Sequence, residues 1–530
     1  MPMNKKPVRA MAAALCALAV LCGAALPATP AYAAEAGGSP YNITVGIGGS
    51  DSEVRFCWIS GSSAAGELQI AKAGDVKNGA FPAGTTQKAS TEKVTATEGV
   101  LDNPGNTDHP VSSFADAAGT ALKEEYSNKV TVGNLVPDAS YSYRVGDGTA
   151  WSPVYTFRTK NTAKGFSFAA FGDPQVGASG NLVNDQSGWA NTLHKVYSKF
   201  PDLNFLFSMG DQVNNYDHLY TQQQEYNAFF NPDSSSNQNY LQTHLLAEFS
   251  GNHDFQMGRY YSYHYNQPNL SALGQTKTNQ INDNNGDFWF RYGNTLFMQL
   301  EGNNFYDVAA HDAFMKQAIE ANKGAMWKVV SFHQAPYSEA NHDGANSSDD
   351  DTMFMRQNWT KLMDKYAVDV VLNGHDHYYT RTYQMYGGTP VNTAKTNRVT
   401  NPKGTVYFTL DSGSGSKYYK YNTTADHSFS AFGWQNNVPT YTYAKVTGNE
   451  FTLTTYTTNS DTPIDTYTIT KTAAASAAKT TTAKSAGTAS NPKTGDSSGS
   501  NTLVFSIAVV ALLAAIFSAA VIIRKKAVRN

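Results

Sequence analysis

Five apolar segments of this chain each run into a cluster of Asp, Asn, Gln or His: FSFAAFGDPQ from Phe166, NFLFSMGDQVNN from Asn204, LLAEFSGNHD from Leu245, WKVVSFHQAP from Trp327 and VDVVLNGHDH from Val368. Longer helical or irregular stretches separate them, an alternation that predicts an α/β arrangement. In open α/β sheets ligands sit outside the carboxyl ends of the strands, so clusters at successive strand ends are placed to converge on one site. A Gly-Asn turn at Gly293 and Asn294 predicts a hairpin. YTYAKVTGNEFTLTTYTTN predicts edge strands near the end of this region.

Upstream, residues 41–160 read as short alternating strands parted by Gly, Asn, Pro and Ser clusters, an all-β sandwich. A chain of 530 residues exceeds one compact domain, so two folded domains plus processing segments are expected. Residues 1–34 carry a basic start, an apolar stretch and Ala31-Tyr32-Ala33, the pattern of a secretory signal peptide. Residues 471–490, rich in Ala, Thr, Ser and Lys, read as a spacer. The uncharged run 502–523, followed by Arg524, Lys525, Lys526 and Arg529, is long enough to span a bilayer with the basic tail inside. Loss of the leader would leave Cys57 as the single cysteine of the three, expected as a small buried hydrophobe.

The clusters supply Asp173 and Gln175, Asp211 and Asn214, Asn252 with His253 and Asp254, His333, and His375 and His377. Carboxylate, amide oxygen and imidazole without thiolate suit hard or borderline cations. A Gly, Asp and Pro turn also explains Gln175 as a turn residue, so both roles stand for it. His194, His218, His244 and His311 lie outside the strand ends and read as surface or core residues. The formal net charge of -3, with 16% charged residues, disfavours nucleic-acid binding.

The order Gly-Asp, Gly-Asp, Gly-Asn-His-Asp, lone His, Gly-His-x-His resembles the five blocks of the binuclear metallophosphoesterase superfamily. VTVGNLVPDASYSYRVGDGTAWSPVYTFRTK, with Leu135, Pro137, Tyr141 and Tyr143, resembles the fibronectin type III-like N-terminal domain of purple acid phosphatases. The resemblance implies such a sandwich followed by a four-layer α/β/β/α catalytic domain over residues 165–470. It makes Asp173, Asp211 and His377 ligands of a first metal, and Asp211, Asn252, His333 and His375 ligands of a second. Gln175 or Asn214 would complete the first shell. The implied cofactors are two divalent or mixed-valence ions of Fe, Zn or Mn. Two divalent cations against two carboxylates leave the site net positive, as a phosphate ester requires. His253 would contact phosphate and protonate the leaving group, Asp254 would accept its other N–H, and His342 would add a phosphate contact. Purple acid phosphatases place an iron-binding tyrosine where this chain has Asn214, which predicts a colourless enzyme.

NPKTG at 491–495, with the segment behind it, resembles a sortase sorting signal, implying sortase and peptidoglycan as partners and a membrane stage before sorting. The expected function is therefore extracellular, wall-anchored hydrolysis of small phosphate monoesters by metal-bound hydroxide. A diesterase or nucleotide hydrolase is the nearest alternative, and a non-catalytic adhesin a more distant one. The Tyr- and Asn-rich residues 255–285 read either as a segment that shapes substrate choice or as plain tyrosine-rich surface.

Overall fold

The computed structural model describes residues 39–94, 124–215, 219–232, 239–255, 260–275, 277–278, 281–282, 285–340, 342 and 350–472. The predicted leader, the sorting signal, the apolar segment 502–523 and nearly all of the spacer lie outside them. Among the described residues no helix is long and apolar enough to cross a membrane.

Alternation within the apolar strands builds the core of the α/β region. Strands Phe166–Phe171, Phe205–Ser208 and Leu245–Ala247 run parallel and side by side. In the facing sheet Thr295–Gln299, Trp327–Ser331, Val370–Asn373 and Val406–Thr409 are likewise parallel. Successive side chains of a strand point to opposite faces. Phe166, Phe168, Phe205 and Phe207 therefore meet Phe297, Val329, Val370 and Leu372 between the sheets. Phe168 and Phe297 pack edge to face with ring centroids 5.6 Å apart. Each such buried ring contributes about 1.5–3 kcal/mol.

The alternate residues face helices. Ala169, Phe171 and Leu206 pack with Trp189, Leu193 and Val196 of helix Leu182–Lys199. Val330 and Val371 pack with Phe314 and Met315 of Val308–Ala321 and with Trp359 and Met363 of Asp350–Tyr366. Side-chain caps fix two helix starts, Asn181 accepting from the Asn184 N–H and Asp307 from that of Ala310. The result is the expected α/β/β/α stack, and the hairpin at Gly293 joins Phe288–Tyr292 to Thr295–Gln299.

The N-terminal region is all β, in two sheets. One holds Tyr41–Ile47, Val54–Ser60, Tyr126–Val132 and Ser90–Lys93, and the other Thr86–Lys88, Glu67–Lys72, Ser140–Gly146 and Tyr155–Arg158. The first of these is continuous with a catalytic sheet, because Tyr41–Ile47 pairs in parallel with Leu245–Ala247, Gly46 opposite Leu246.

At this junction the tyrosines of the 255–285 segment lie inside the protein and not on its surface. Tyr260, Tyr261, Tyr263 and Tyr265 are buried in the interior, at no more than 4% exposure. The Tyr263 carbonyl accepts from Ser127 Oγ at 2.6 Å, the Ser262 carbonyl from Lys129 Nζ at 2.6 Å, and Asn266 donates to the Val130 carbonyl at 3.2 Å. These contacts fasten the segment after GNHD to the sandwich. Cys57 is buried in the same junction, with Sγ 3.1 Å from the Tyr263 carbonyl oxygen, and burial pushes its thiol up to about 11.

Candidate metal centre

All five strand ends arrive at one place, and the backbone there adopts conformations that ordinary residues avoid. Gln175, Asp211, His375 and His377 have φ of 33°, 46°, 74° and 43°. Each such residue costs on the order of 1–3 kcal/mol and persists where its surroundings over-determine it. The surroundings here are hydrogen bonds among the strand ends. The Gln175 N–H donates to the Asp211 carbonyl at 2.7 Å, the His375 N–H to Asp173 Oδ1 at 2.8 Å, and the His253 N–H to Asp211 Oδ1 at 2.9 Å. Such close approach explains two of the glycines that precede these residues. A Cβ on Gly251 would lie 2.0 Å from Asp211 Oδ1, and one on Gly374 2.3 Å from Asp173 Oδ1.

The side chains present acceptors to one another. His333 Nδ1 lies 2.8 Å from the Met209 carbonyl oxygen and donates to it, which turns Nε2 toward the site. That nitrogen lies 3.1 Å from Asn252 Oδ1, 3.2 Å from His375 Nδ1 and 3.3 Å from Asp211 Oδ2. Ligand atoms of Asp211, His333 and His375 all lie within 4.8 Å of one another. On the other side of Asp211, Asp173 Oδ2 lies 3.3 Å from His377 Nε2, and Asp173 Oδ2 and Gln175 Oε1 are both buried without a hydrogen-bond partner.

Without a metal the His333 ring supplies the balancing charge: burial opposes it, but Asp211 and Asp173 push its pKa up to about 10, and a bound cation would take that proton's place. Burial, with the charge of Asp211 adding to it, pushes Asp173 up to about 7. Burial also works to raise Asp211, but the His333 and His253 rings outweigh it and hold that carboxyl well below the usual range. Burial first, then neighbouring positive charge, pushes His375 and His377 well down, into the neutral form that coordinates metal. The donor set and its orphaned atoms fit two cations bridged by Asp211. Asp173, Gln175 and His377 would hold one, and Asn252, His333 and His375 the other.

Comparison with known proteins agrees with this geometry. Residues 166–379 match the calcineurin-like phosphoesterase family, and residues 40–159 the purple acid phosphatase N-terminal domain. The chain carries a calcineurin-like phosphoesterase domain. A nucleotide pyrophosphatase/phosphodiesterase of Hordeum vulgare is 24% identical over 301 residues, covering 54% of this chain and 79% of that protein. Probable inactive purple acid phosphatase 24 of Arabidopsis thaliana is 24% identical over 302 residues, 53% of this chain and about half, 48%, of that protein. Among solved structures, a purple acid phosphatase from yellow lupin (Lupinus luteus) seeds shares the fold, with a TM-score of 0.62 at 17% identity, covering 87% of this chain and 78% of the lupin chain.

Within the phosphoesterase domain, hydrogen bonds assign different tasks to residues of similar type. Gln175 Nε2 donates to Asn214 Oδ1 at 3.3 Å, so the Asn214 amide oxygen is engaged while that of Gln175 is open. The Asn214 carbonyl lies 2.5 Å from His253 Nδ1 and fixes that ring with Nε2 toward the metal side, 4.0 Å from Asp211 Oδ2.

The role expected for Asp254 is corrected by this contact. Its carboxylate does not hold His253. It accepts from the Gly251 N–H at 2.9 Å, the Gln212 N–H at 3.2 Å and the Tyr226 hydroxyl at 3.2 Å. Asp254 thus ties the GNHD turn to the GDQ turn, since its place in the first helical turn points it back at backbone donors rather than at its neighbour.

A carboxylate that does hold an imidazole is Asp376. It accepts from the His342 N–H at 2.9 Å and lies 3.2 Å from His342 Nδ1, and Ser338 Oγ also donates to it. The His342 ring then packs on His375 with centroids 4.1 Å apart. Sequence reading passed over Asp376 as the variable position of Gly-His-x-His. No local pattern joins it to a histidine 34 residues away. Residues 411–419 were missed as well. The Gly413 N–H donates to the Asp173 carbonyl at 3.1 Å and the Tyr419 N–H to that of His377 at 3.3 Å, so this loop braces both ends of the first-metal ligand set.

Proposed function

We propose that this protein is an extracellular, wall-anchored phosphoesterase that hydrolyses small phosphate monoesters. The observation that carries the catalytic part is the convergence of Asp211, His333, His375 and Asn252 acceptor atoms on one point, with Asp173, Gln175 and His377 beside it. Two divalent cations bound there would neutralise phosphate charge and lower the pKa of a shared water toward about 7. The chain's own residues do the rest. Asp211 lies between the two ligand groups. His253 is locked through Nδ1 and presents Nε2 to the phosphoryl or leaving oxygen, where it donates a proton. His342 is held through Nδ1 by Asp376, and its ring lies against that of His375. The anchoring part is supported by the leader, NPKTG, the apolar segment and the basic tail in the sequence.

A second reading, hydrolysis of phosphodiesters or nucleotides, is favoured by the similarity to the barley nucleotide pyrophosphatase/phosphodiesterase. Aryl phosphate mono- and diesters, assayed with metal analysis on residues 35–490, separate the two. The phosphoesterase reading expects turnover that chelation abolishes and that His253→Ala or Asn252→Ala lowers at least about a hundredfold. Turnover indifferent to all three treatments would refute it.

A further inference from the structure

The loop SGSGSKYYKY, 412–421, places a cation and a phenol beside the metal ligands, and the ligand set does not use either. The Tyr419 ring stands nearly edge-on to two site imidazoles, its centroid 5.1 Å from that of His377 and 5.3 Å from that of His342. Its place is fixed by its own N–H, which donates to the His377 carbonyl. The Lys417 ammonium lies 5.0 Å from the Tyr419 ring centroid. Lys417 is half-buried and forms no ion pair with any described carboxylate.

An ammonium drawn partly out of water without a carboxylate partner carries a desolvation cost that an anionic ligand would offset. Of the carboxylates nearby, Asp376 holds His342, and Asp411 accepts through Oδ1 from the Ser412 N–H and the Gln435 amide at 2.8 and 3.1 Å, while its buried Oδ2 makes no hydrogen bond and no ion pair with Lys417.

We propose that Lys417, with the Tyr419 hydroxyl, forms a second anion subsite that selects substrates whose leaving group carries a further phosphoryl group. This rests on the phosphoesterase reading and names the substrate feature the site prefers. A lone monoester offers nothing to Lys417. In a phosphoanhydride, the water oxygen bonds to the scissile phosphorus and gives one proton to solvent, while the bond to the bridging oxygen breaks with its electron pair. The departing phosphoryl oxygen carries that charge next to Lys417 and takes up a proton as the product leaves. A lysine serves such a group as a point charge.

The test uses the full chain with Lys417→Met, Tyr419→Phe and, as a charge-matched control one step outside the site, the exposed Lys420→Met. For each, kcat/KM is measured on inorganic pyrophosphate, ADP and 4-nitrophenyl phosphate. Binding of imidodiphosphate and of orthophosphate is measured by calorimetry, independently of turnover. Lys417→Met is expected to lower the pyrophosphate-to-aryl-phosphate and ADP-to-aryl-phosphate ratios, and the imidodiphosphate-to-orthophosphate affinity ratio, about tenfold, the usual worth of a charged hydrogen bond. Tyr419→Phe should lower them less, and Lys420→Met by no more than about twofold. Unchanged ratios in Lys417→Met, or an equal fall in Lys420→Met, would overturn the subsite. So would a fall confined to ADP, since the contact would then be with the nucleoside. Absence of 4-nitrophenyl phosphate turnover in the wild type counts against the phosphoesterase reading, and the imidodiphosphate ratio still decides the subsite.

Discussion

Gln175 donates its side-chain N–H to Asn214 across 3.3 Å, and this bond turns Gln175 Oε1, buried and unpaired, toward the metal side. Two neighbouring amides thereby divide one task, with Gln175 offering the oxygen and Asn214 aiming it. Gln175→Leu should lower affinity for the first metal about 10–100-fold, while metal-free stability changes little or rises, because an unsatisfied buried acceptor is removed. Gln175→His should alter metal preference more than stability. Asn214→Ala should cost less affinity than Gln175→Leu. Metal titration by calorimetry with parallel thermal melts reads all three, and equal losses in Gln175→Leu and Asn214→Ala would contradict the division.

Asp376 gives a test of positioning. Asp376→Asn keeps the size of the side chain but removes the charge that holds His342 Nδ1. The expected result is a rise in KM of about tenfold for phosphate esters with a smaller change in kcat. A uniform loss of folded protein, seen by circular dichroism, would mean that Asp376 is merely structural.

For Asp254 the expectation now differs from that of a proton-relay partner. Asp254→Ala leaves the Gly251 and Gln212 N–H groups and the Tyr226 hydroxyl without their acceptor. It should destabilise by about 2–4 kcal/mol and reduce bound metal. Leaving-group dependence provides the check. If Asp254 served His253, activity would fall most for substrates with poor leaving groups. Here the loss should be even across an aryl phosphate series.

Chelation should unload the centre and lower thermal stability, since ions that bind only the folded state add RT ln(1 + [L]/Kd), about 2.7 kcal/mol at a hundredfold excess over Kd. The same preparation tests colour. Among the described residues near Asp211 the position of the expected iron-binding tyrosine is Asn214, so reconstitution with iron should give no phenolate charge-transfer band. Visible spectra before and after oxidation decide this, and an intense visible band would require another phenolate at the site.

Composition, strand patterning and the spacing of Gly-Asp, Gly-Asp, Gly-Asn-His-Asp and Gly-His-x-His were enough to place Asp173, Asp211, Asn252, His333, His375 and His377 at strand ends. Those signals are local, because a period of two decides which residues are buried, and a glycine beside each turn reports close backbone approach. Gln175 could be read only as a turn residue or a ligand until the fold showed which of its amide atoms Asn214 occupies. The exchange of roles between Asp254 and Asp376, the burial of Tyr260–Tyr263 against the sandwich, the single sheet that joins Gly46 to Leu246, and the approach of Lys417 and Tyr419 to His377 all belong to the tertiary structure. Each is a pairing of side chains or strands far apart in the chain, and nothing in the local pattern of a carboxylate, a tyrosine or a lysine says which distant partner will satisfy it.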